Sequence, residues 1–191
     1  MRRVVKIGGS LFARPDLVEA VSHWMARQPP AQTYVIVGGG DLVDAIRRYD
    51  RLRPADSAVV HWTCVDLLQV TFEMASRWFA GWATIDSPAE LVRSQHQAIE
   101  SAPCYLVSVR SFYRRDGGLE LPLDWSTTTD SLAAALCIEL KADELVLLKP
   151  REVDVAESVE GLAAQGIVDA ALPALVSRLG SIRVEQLPPA E

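Results

Sequence analysis

Apolar residues come in two kinds of block along this chain. Val4-Val5-Lys6-Ile7 and Thr33-Tyr34-Val35-Ile36-Val37 are short and nearly continuous, which fits strands buried on both faces. Each runs directly into glycine: Gly8-Gly9 after the first, Gly38-Gly39-Gly40 after the second. Between them the spacing turns helical. Pro15-Asp16 opens a helix to about Gln28, with Leu17, Val18, Val21, Trp24 and Met25 on one face, and Pro29-Pro30 stops it. After the second glycine run, Asp41 is placed to cap a helix whose apolar stripe is Leu42, Val43, Ile46 and Tyr49.

The alternation continues to the end. Val65, Leu68, Phe72, Ala75 and Phe79 predict a helix from Trp62 to about Phe79, and Cys104–Val109 reads as a strand. Asp130–Leu140 follows as a strongly apolar helix, Glu144–Leu148 as a buried strand, Val168–Leu179 as a helix and Ser181–Val184 as a last strand. Strands alternating with helices predict an α/β fold, with a mainly parallel sheet covered on both faces. No repeat, low-complexity segment or linker divides the chain, so 1–191 reads as a single domain large enough for its own core.

Composition narrows the function. A net charge of −6 argues against a nucleic-acid partner, since phosphate backbones are met by a positive surplus. No apolar run approaches the ~20 residues that span a bilayer, and Lys6 with the glycines interrupts any hydrophobic stretch after Met1-Arg2-Arg3. The expectation is a cytoplasmic protein with no membrane partner. Cys64, Cys104 and Cys137 are far apart, as are His23, His61 and His96, so no metal-ligand spacing is present. Only three of the 19 basic residues are lysines, Lys6, Lys141 and Lys149, which leaves few candidates for any task that needs an ammonium group.

Two strand–glycine–helix units at the carboxyl ends of consecutive strands suit anions, because backbone N–H groups and a helix N-terminus converge there. A plain turn is the alternative for either loop alone. There is no Gly-x-Gly-x-x-Gly and no Gly-Lys-Ser/Thr, so neither a dinucleotide fingerprint nor a Walker loop is present. Lys6 lies inside a buried strand, where an ammonium group is costly unless it is paired or reaches the surface at the strand end. Beside a glycine loop it would neutralise a transferring phosphoryl group. Asp124-Trp125-Ser126-Thr127-Thr128-Thr129-Asp130 reads as a helix start capped by Thr129 or Asp130. It leaves a second carboxylate and several hydroxyls at the same edge.

Val5-Lys6-Ile7-Gly8-Gly9-Ser10-Leu11 resembles the opening motif of the amino-acid kinase superfamily, to which aspartokinase, acetylglutamate kinase and uridylate kinase belong. Val35–Gly40 resembles its second glycine loop, and Thr128–Ala134 followed by Ala142–Leu148 its Asp-headed helix and next strand. The resemblance covers residues 1 to about 150 and implies a three-layer α/β/α sandwich that uses ATP with Mg²⁺ to phosphorylate a small anionic acceptor. It implies Lys6 and Asp130 as catalytic residues, with Gly8, Gly9, Ser10 and Thr128 around the nucleotide. Gly38, Gly39, Gly40, Asp41 and Arg110 fall to the acceptor, and relatives commonly form homo-oligomers. After Leu148 the pattern weakens: Gly166-Ile167-Val168-Asp169-Ala170-Ala171-Leu172-Pro173 resembles a remnant of the later segment and no lysine follows Lys149, so the nucleotide-binding half is shortened and Lys149 or Arg151 supplies the second cation. The short chain is most similar to the small kinases related to methanofuran biosynthesis, which implies an aminomethylfuran phosphate acceptor. Arg110, Arg114 and Arg115 are placed to reach an acceptor phosphate, and Tyr113 and Trp125 to flank a flat ring or to pack in the core. The alternative function is a non-catalytic relative that binds a small ligand or oxyanion.

Overall fold

The computed structural model describes residues 1–97, 102–117, 120–154 and 156–190. Six strands form one sheet: β1 (Arg2–Ile7), β2 (Gln32–Val37), β3 (Ala83–Ile85), β4 (Cys104–Val107), β5 (Glu144–Lys149) and β6 (Ser181–Gln186). Their order is β3-β4-β2-β1-β5-β6 and every pairing is parallel. Parallel neighbours need crossovers, and six helices contribute to them or flank them. These are α1 (Leu17–Ala26), α2 (Gly40–Leu52), α3 (Ser57–Trp78), α4 (Pro88–Gln95), α5 (Thr129–Leu140) and α6 (Val159–Ala164).

The two-residue period of a strand sorts each apolar run onto two faces. Val4, Tyr34, Ile36, Leu145 and Leu147 pack with α5 and the first half of α3. Val5, Ile7, Val35, Val37, Val146 and Leu148 pack with α1, with Phe72 and Ala75 of α3, and with Phe79 just after it. Because both faces are covered, the central strands carry no polar alternation. The exceptions are charges at the strand ends. Arg3 pairs with Glu144 at 2.6 Å near the amino-terminal edge, and Arg183 joins the same carboxylate at 2.7 Å. Lys6 and Lys149 share the α5-facing parity of Val4 and Leu147 at the carboxyl edge.

Several local expectations are corrected. Asp41 does not cap α2: the cap is Gly39, and Asp41 sits within the first turn. The stripe on α2 is not buried either, with Leu42 and Tyr49 both exposed. α3 starts five residues before the expected Trp62, because the Asp56 carboxylate caps it by accepting from the Val59 amide at 3.1 Å. The β4 strand ends at Val107 and passes into a 3₁₀ turn, Val109–Ser111. The expected helix Val168–Leu179 is instead a loop and a 3₁₀ helix, Leu172–Arg178, with Pro173 in its first turn.

The two glycine loops touch each other backbone to backbone. A Cβ on Gly9 would stand 2.2 Å from the Gly40 nitrogen, and one on Gly38 would stand 2.6 Å from the Gly9 nitrogen. Gly40 also adopts φ +54°, a region closed to most side chains. Loop-to-loop packing therefore accounts for these glycines before any ligand is invoked. Gly9→Ala should lower stability by about 1–3 kcal/mol through overpacking. Gly81→Ala, where a Cβ meets nothing within 4 Å, should be close to neutral, and the pair of urea midpoints checks the contrast.

Candidate active site

Strand parity and one helix start bring three charged side chains together. Lys6 ends near the carboxyl edge of β1, and Lys149 is the last residue of β5 on the same face. Asp130 is the second residue of α5, whose first turn lies over that face. The Asp130 carboxylate bridges the ammonium groups, with Oδ1 2.9 Å from Lys6 Nζ and Oδ2 2.7 Å from Lys149 Nζ. The Lys149 contact is an aligned hydrogen bond; the Lys6 contact is ionic without that alignment. All three residues are buried.

The environment sets their protonation. Burial pushes the Asp130 carboxyl up, but Lys6 and then Lys149 override it and hold it below the usual carboxylate value. Lys149 moves the other way from lysine's ordinary value. Burial and the charge of Lys6 lower it, and Asp130 only partly restores it. Among the described residues, Asp130 is the only group in ion-pair contact with either lysine, so each ammonium group keeps further N–H donors to give.

Lys6 opens onto a cavity of about 320 Å³ at the carboxyl edge of the sheet. Gly9, Ser10, Gly39, Gly40 and Thr128 also line it. Its wall continues through Val43, Val60 and Leu68 to Trp125, Asp44 and Asp124. Trp125 is fixed from α2: its indole N–H donates to Asp50 at 2.7 Å, and the Arg47 guanidinium lies 4.6 Å from its ring centre. His61 lines the same cavity, with Nε2 3.0 Å from the Tyr113 hydroxyl. Burial lowers its basicity against the opposing pull of Asp124, which favours the neutral ring. Thr127 is buried in the lining, and its hydroxyl has no hydrogen-bond partner among the described residues.

Some expected site residues stand elsewhere. Gly8 and Gly38 lie behind the cavity, packed on the Leu148 carbonyl and on Gly9. Asp41 borders a separate groove with Phe12 and Leu42. Arg151 is exposed in the loop after β5. Arg110 does not reach the cavity: it forms a two-pronged pair with Asp86 at 2.8 and 3.3 Å beside a second groove. Arg115 pairs with Asp66 on the same side. Tyr113 is core, stacked on Trp62 with ring centres 5.0 Å apart, whereas Trp125 faces the cavity. Neither Thr129 nor Asp130 caps α5. The capping position is Thr128, and its side chain caps nothing; a distant carboxylate, Asp169, accepts from the Thr128 and Ser131 amides at 2.8 and 2.9 Å. Sequence reasoning assigned no individual site role to Asp169, His61 or Thr127.

No protein-family profile matches this chain, and no curated protein matches it in sequence. Its fold does match solved structures. Uridylate kinase from Archaeoglobus fulgidus aligns at TM-score 0.61 and 14% identity over 97% of this chain and 90% of that one. UMP kinase from Ureaplasma parvum aligns at 0.65 and 15% over 100% and 92%. Aspartate kinase from Synechocystis aligns at 0.65 and 14% over 97% of this chain but 38% of its own. At such identities the likeness is one of fold: this chain's parallel six-stranded sheet and flanking helices form an α/β fold that matches the fold of these kinases.

Because Asp130 bridges two lysines rather than capping α5, Asp130→Asn should do more than weaken a cap. Removing the shared carboxylate leaves two buried ammonium groups uncompensated, at a cost of about 3–5 kcal/mol. The native pKa lies below the ordinary 3.8. The stability from ionised Asp130 is therefore complete above that value and lost as pH falls through the native one. The gap between wild type and Asp130→Asn in denaturant titrations should thus narrow as the pH is lowered below 3.8. A gap that stays constant, or a loss under 1 kcal/mol, contradicts the shared-carboxylate reading.

Proposed function

We propose that this chain is a phosphotransferase that moves a terminal phosphoryl group from a nucleoside triphosphate to a small anionic acceptor held in the cavity. The observation that carries the reading is Asp130 holding two buried ammonium groups beside a cavity that one of them lines. Positive charge with unspent N–H donors, kept in place before substrate arrives, is what phosphoryl transfer asks of a protein, since positioning and charge neutralisation do the catalytic work.

The residues fit the phosphate end of such a donor. Lys6, Gly9 and Ser10 line the cavity floor, and α5 begins there with its positive end. ATP with Mg²⁺ would supply the phosphoryl group and part of the charge neutralisation. The described residues contain no cluster of three His, Cys, Asp or Glu side chains that could hold a metal, so Mg²⁺ would be held chiefly by phosphate oxygens and water. Lys6 and Lys149 would balance charge on the transferring group, and Asp130 would keep them from repelling each other apart. Ser10, Thr128 and the partnerless Thr127 hydroxyl offer short-range donors to phosphate oxygens.

The acceptor we favour is a small phosphate monoester bearing a flat ring, such as an aminomethylfuran phosphate, with a diphosphate as product. Trp125 and the Val43–Val60–Leu68 wall suit a ring, while Asp44 and Asp124 suit an amine. Self-association would use the outer faces of α2 and α3, where Tyr49, Leu52 and Val59 are exposed. The enzyme proposed here is a cytoplasmic one; no helix of the described residues is long and apolar enough to cross a membrane.

A panel of phosphate monoesters, amino-acid carboxylates, carbamate and nucleoside monophosphates, assayed with ATP and Mg²⁺, tests this reading. Turnover should concentrate on the monoesters, and Lys6→Met should reduce it about 10²–10³-fold while the fold persists. Turnover confined to carboxylates would exclude the phosphate acceptor, and none with any acceptor would exclude the kinase. In the active protein, kcat should fall on the alkaline side below the ordinary lysine pKa of 10.5, as Lys149 loses its proton early. Lys149→Arg should move that limb upward.

A further inference from the structure

One buried carboxylate outside the lysine bridge makes more hydrogen bonds than Asp130 does. Asp169 lies in the loop between α6 and the Leu172–Arg178 helix. Its Oδ2 accepts from the Thr128 amide at 2.8 Å, the Thr128 hydroxyl at 3.0 Å and the Ser131 amide at 2.9 Å. Its Oδ1 accepts from the Ser131 hydroxyl and from the Leu172 amide at 3.0 Å. The same loop is stitched to the cavity wall where the Ala171 amide donates to the Ser126 carbonyl at 3.0 Å. Both residues that flank the 129–130 pair in the first turn of α5 are thus gripped by one side chain from about forty residues away.

That grip has a chemical consequence. Helix starts leave amides unpaired and tend to fray, and Thr128 provides no side-chain cap of its own. Asp130 is in the gripped turn, so any fraying would carry its carboxylate away from both lysines. A local cap from Ser, Thr or Asn would satisfy the amides equally well, yet here the cap is an acid buried beside Asp130, whose negative charge, after burial, makes ionising Asp169 harder. Placing a second carboxylate there is costly, although its charge also favours the ammonium form of Lys149.

We propose that Asp169 is a positioning residue of the transfer site: it clamps the first turn of α5 so that Asp130 stays between Lys6 and Lys149 and the Thr127–Thr129 run stays on the cavity. The link to transfer rests on the kinase reading above; the geometric claim does not. The lysine scarcity of the chain supplies a direct probe. Only Lys6, Lys141 and Lys149 would give side-chain signals in a lysine-labelled NMR spectrum, and Lys141 is exposed, so it serves as an internal control.

In Asp169→Asn and in Asp169→Glu, the Lys6 and Lys149 signals should shift and the Lys149 titration midpoint should fall, with Lys141 unchanged. The Glu variant is decisive, because it keeps the charge and displaces the carboxylate by one methylene. If Asp169→Glu reproduces the wild-type lysine spectrum, or if Lys141 moves as much as the other two, the clamp is overturned. Should neither variant fold, Ser131→Ala removes one of the clamped hydroxyls, and unmoved Lys6 and Lys149 signals there count against the proposal. With an acceptor in hand, Asp169→Glu should lower kcat about a hundred-fold with little change in acceptor KM. If the wild type transfers to nothing, the function proposed above falls, while the lysine spectra still decide the role of Asp169.

Discussion

Two ammonium groups a few ångströms apart in a protein interior repel each other by an amount on the order of 3–4 kcal/mol at an effective dielectric near 20. Asp130 is what lets Lys6 and Lys149 coexist. Meeting that requirement constrains three elements together. β1 and β5 must pair in a register that puts both lysines on one face and at one edge, and α5 must begin over that edge. The parallel pairing of Lys6 with Leu147, two residues before Lys149, satisfies the first condition. The apolar body of α5, buried along most of its length, satisfies the second by docking on the same face.

Around this bridge, charge and close packing share the work. The glycine loops after β1 and β2 interlock through bare backbone, so the floor under Lys6 and the wall by Gly39–Gly40 form one rigid corner. On the other side α2 buries none of its residues and is instead tied to the cavity rim by Asp50 and Arg47 on Trp125. One wall of the cavity is thus fixed by sterics and the other by a hydrogen bond and a cation–π contact. The second kind yields more readily to an incoming ligand.

The parts legible in the sequence were those with local signatures. Buried parallel strands announce themselves as unbroken apolar runs, and the glycines after them mark the loops, so β1, β2 and the edge where the cavity lies could be read directly. Parity was equally available: Leu145, Leu147 and Lys149 alternate on β5, and following that alternation would have joined Lys149 to Lys6 and Asp130 instead of pairing it with Arg151 as an interchangeable cation. Other features had weak local signals. β3 is three residues at a sheet edge, and without it Asp86 could not be foreseen as the partner that holds Arg110. The helix of α2 was legible, but periodicity states that a stripe exists, not that anything covers it. The start of α4 went unread, although Ser87 stands three residues before Glu90 and accepts from its amide at 3.3 Å. The Gly166-Ile167-Val168-Asp169 motif was visible, but nothing local gave Asp169 its role, because its five donors are set by how distant segments pack.

The placement of β1 has a bearing on how the molecule comes into being. β1, made before the strands that flank it, lies inside the sheet between β2, which follows within about thirty residues, and β5, which arrives about 140 residues later. As the chain leaves the ribosome, β1, β2 and β4 can assemble early from near neighbours, whereas the other edge of β1 must stay uncovered until most of the chain is out. For that interval Lys6 has neither Asp130 nor a covering helix, and an exposed strand edge is open to pairing with other chains. The corner that holds the lysine bridge therefore closes late, and a nascent or truncated chain ending before α5 would carry the glycine loops without Asp130 or Lys149.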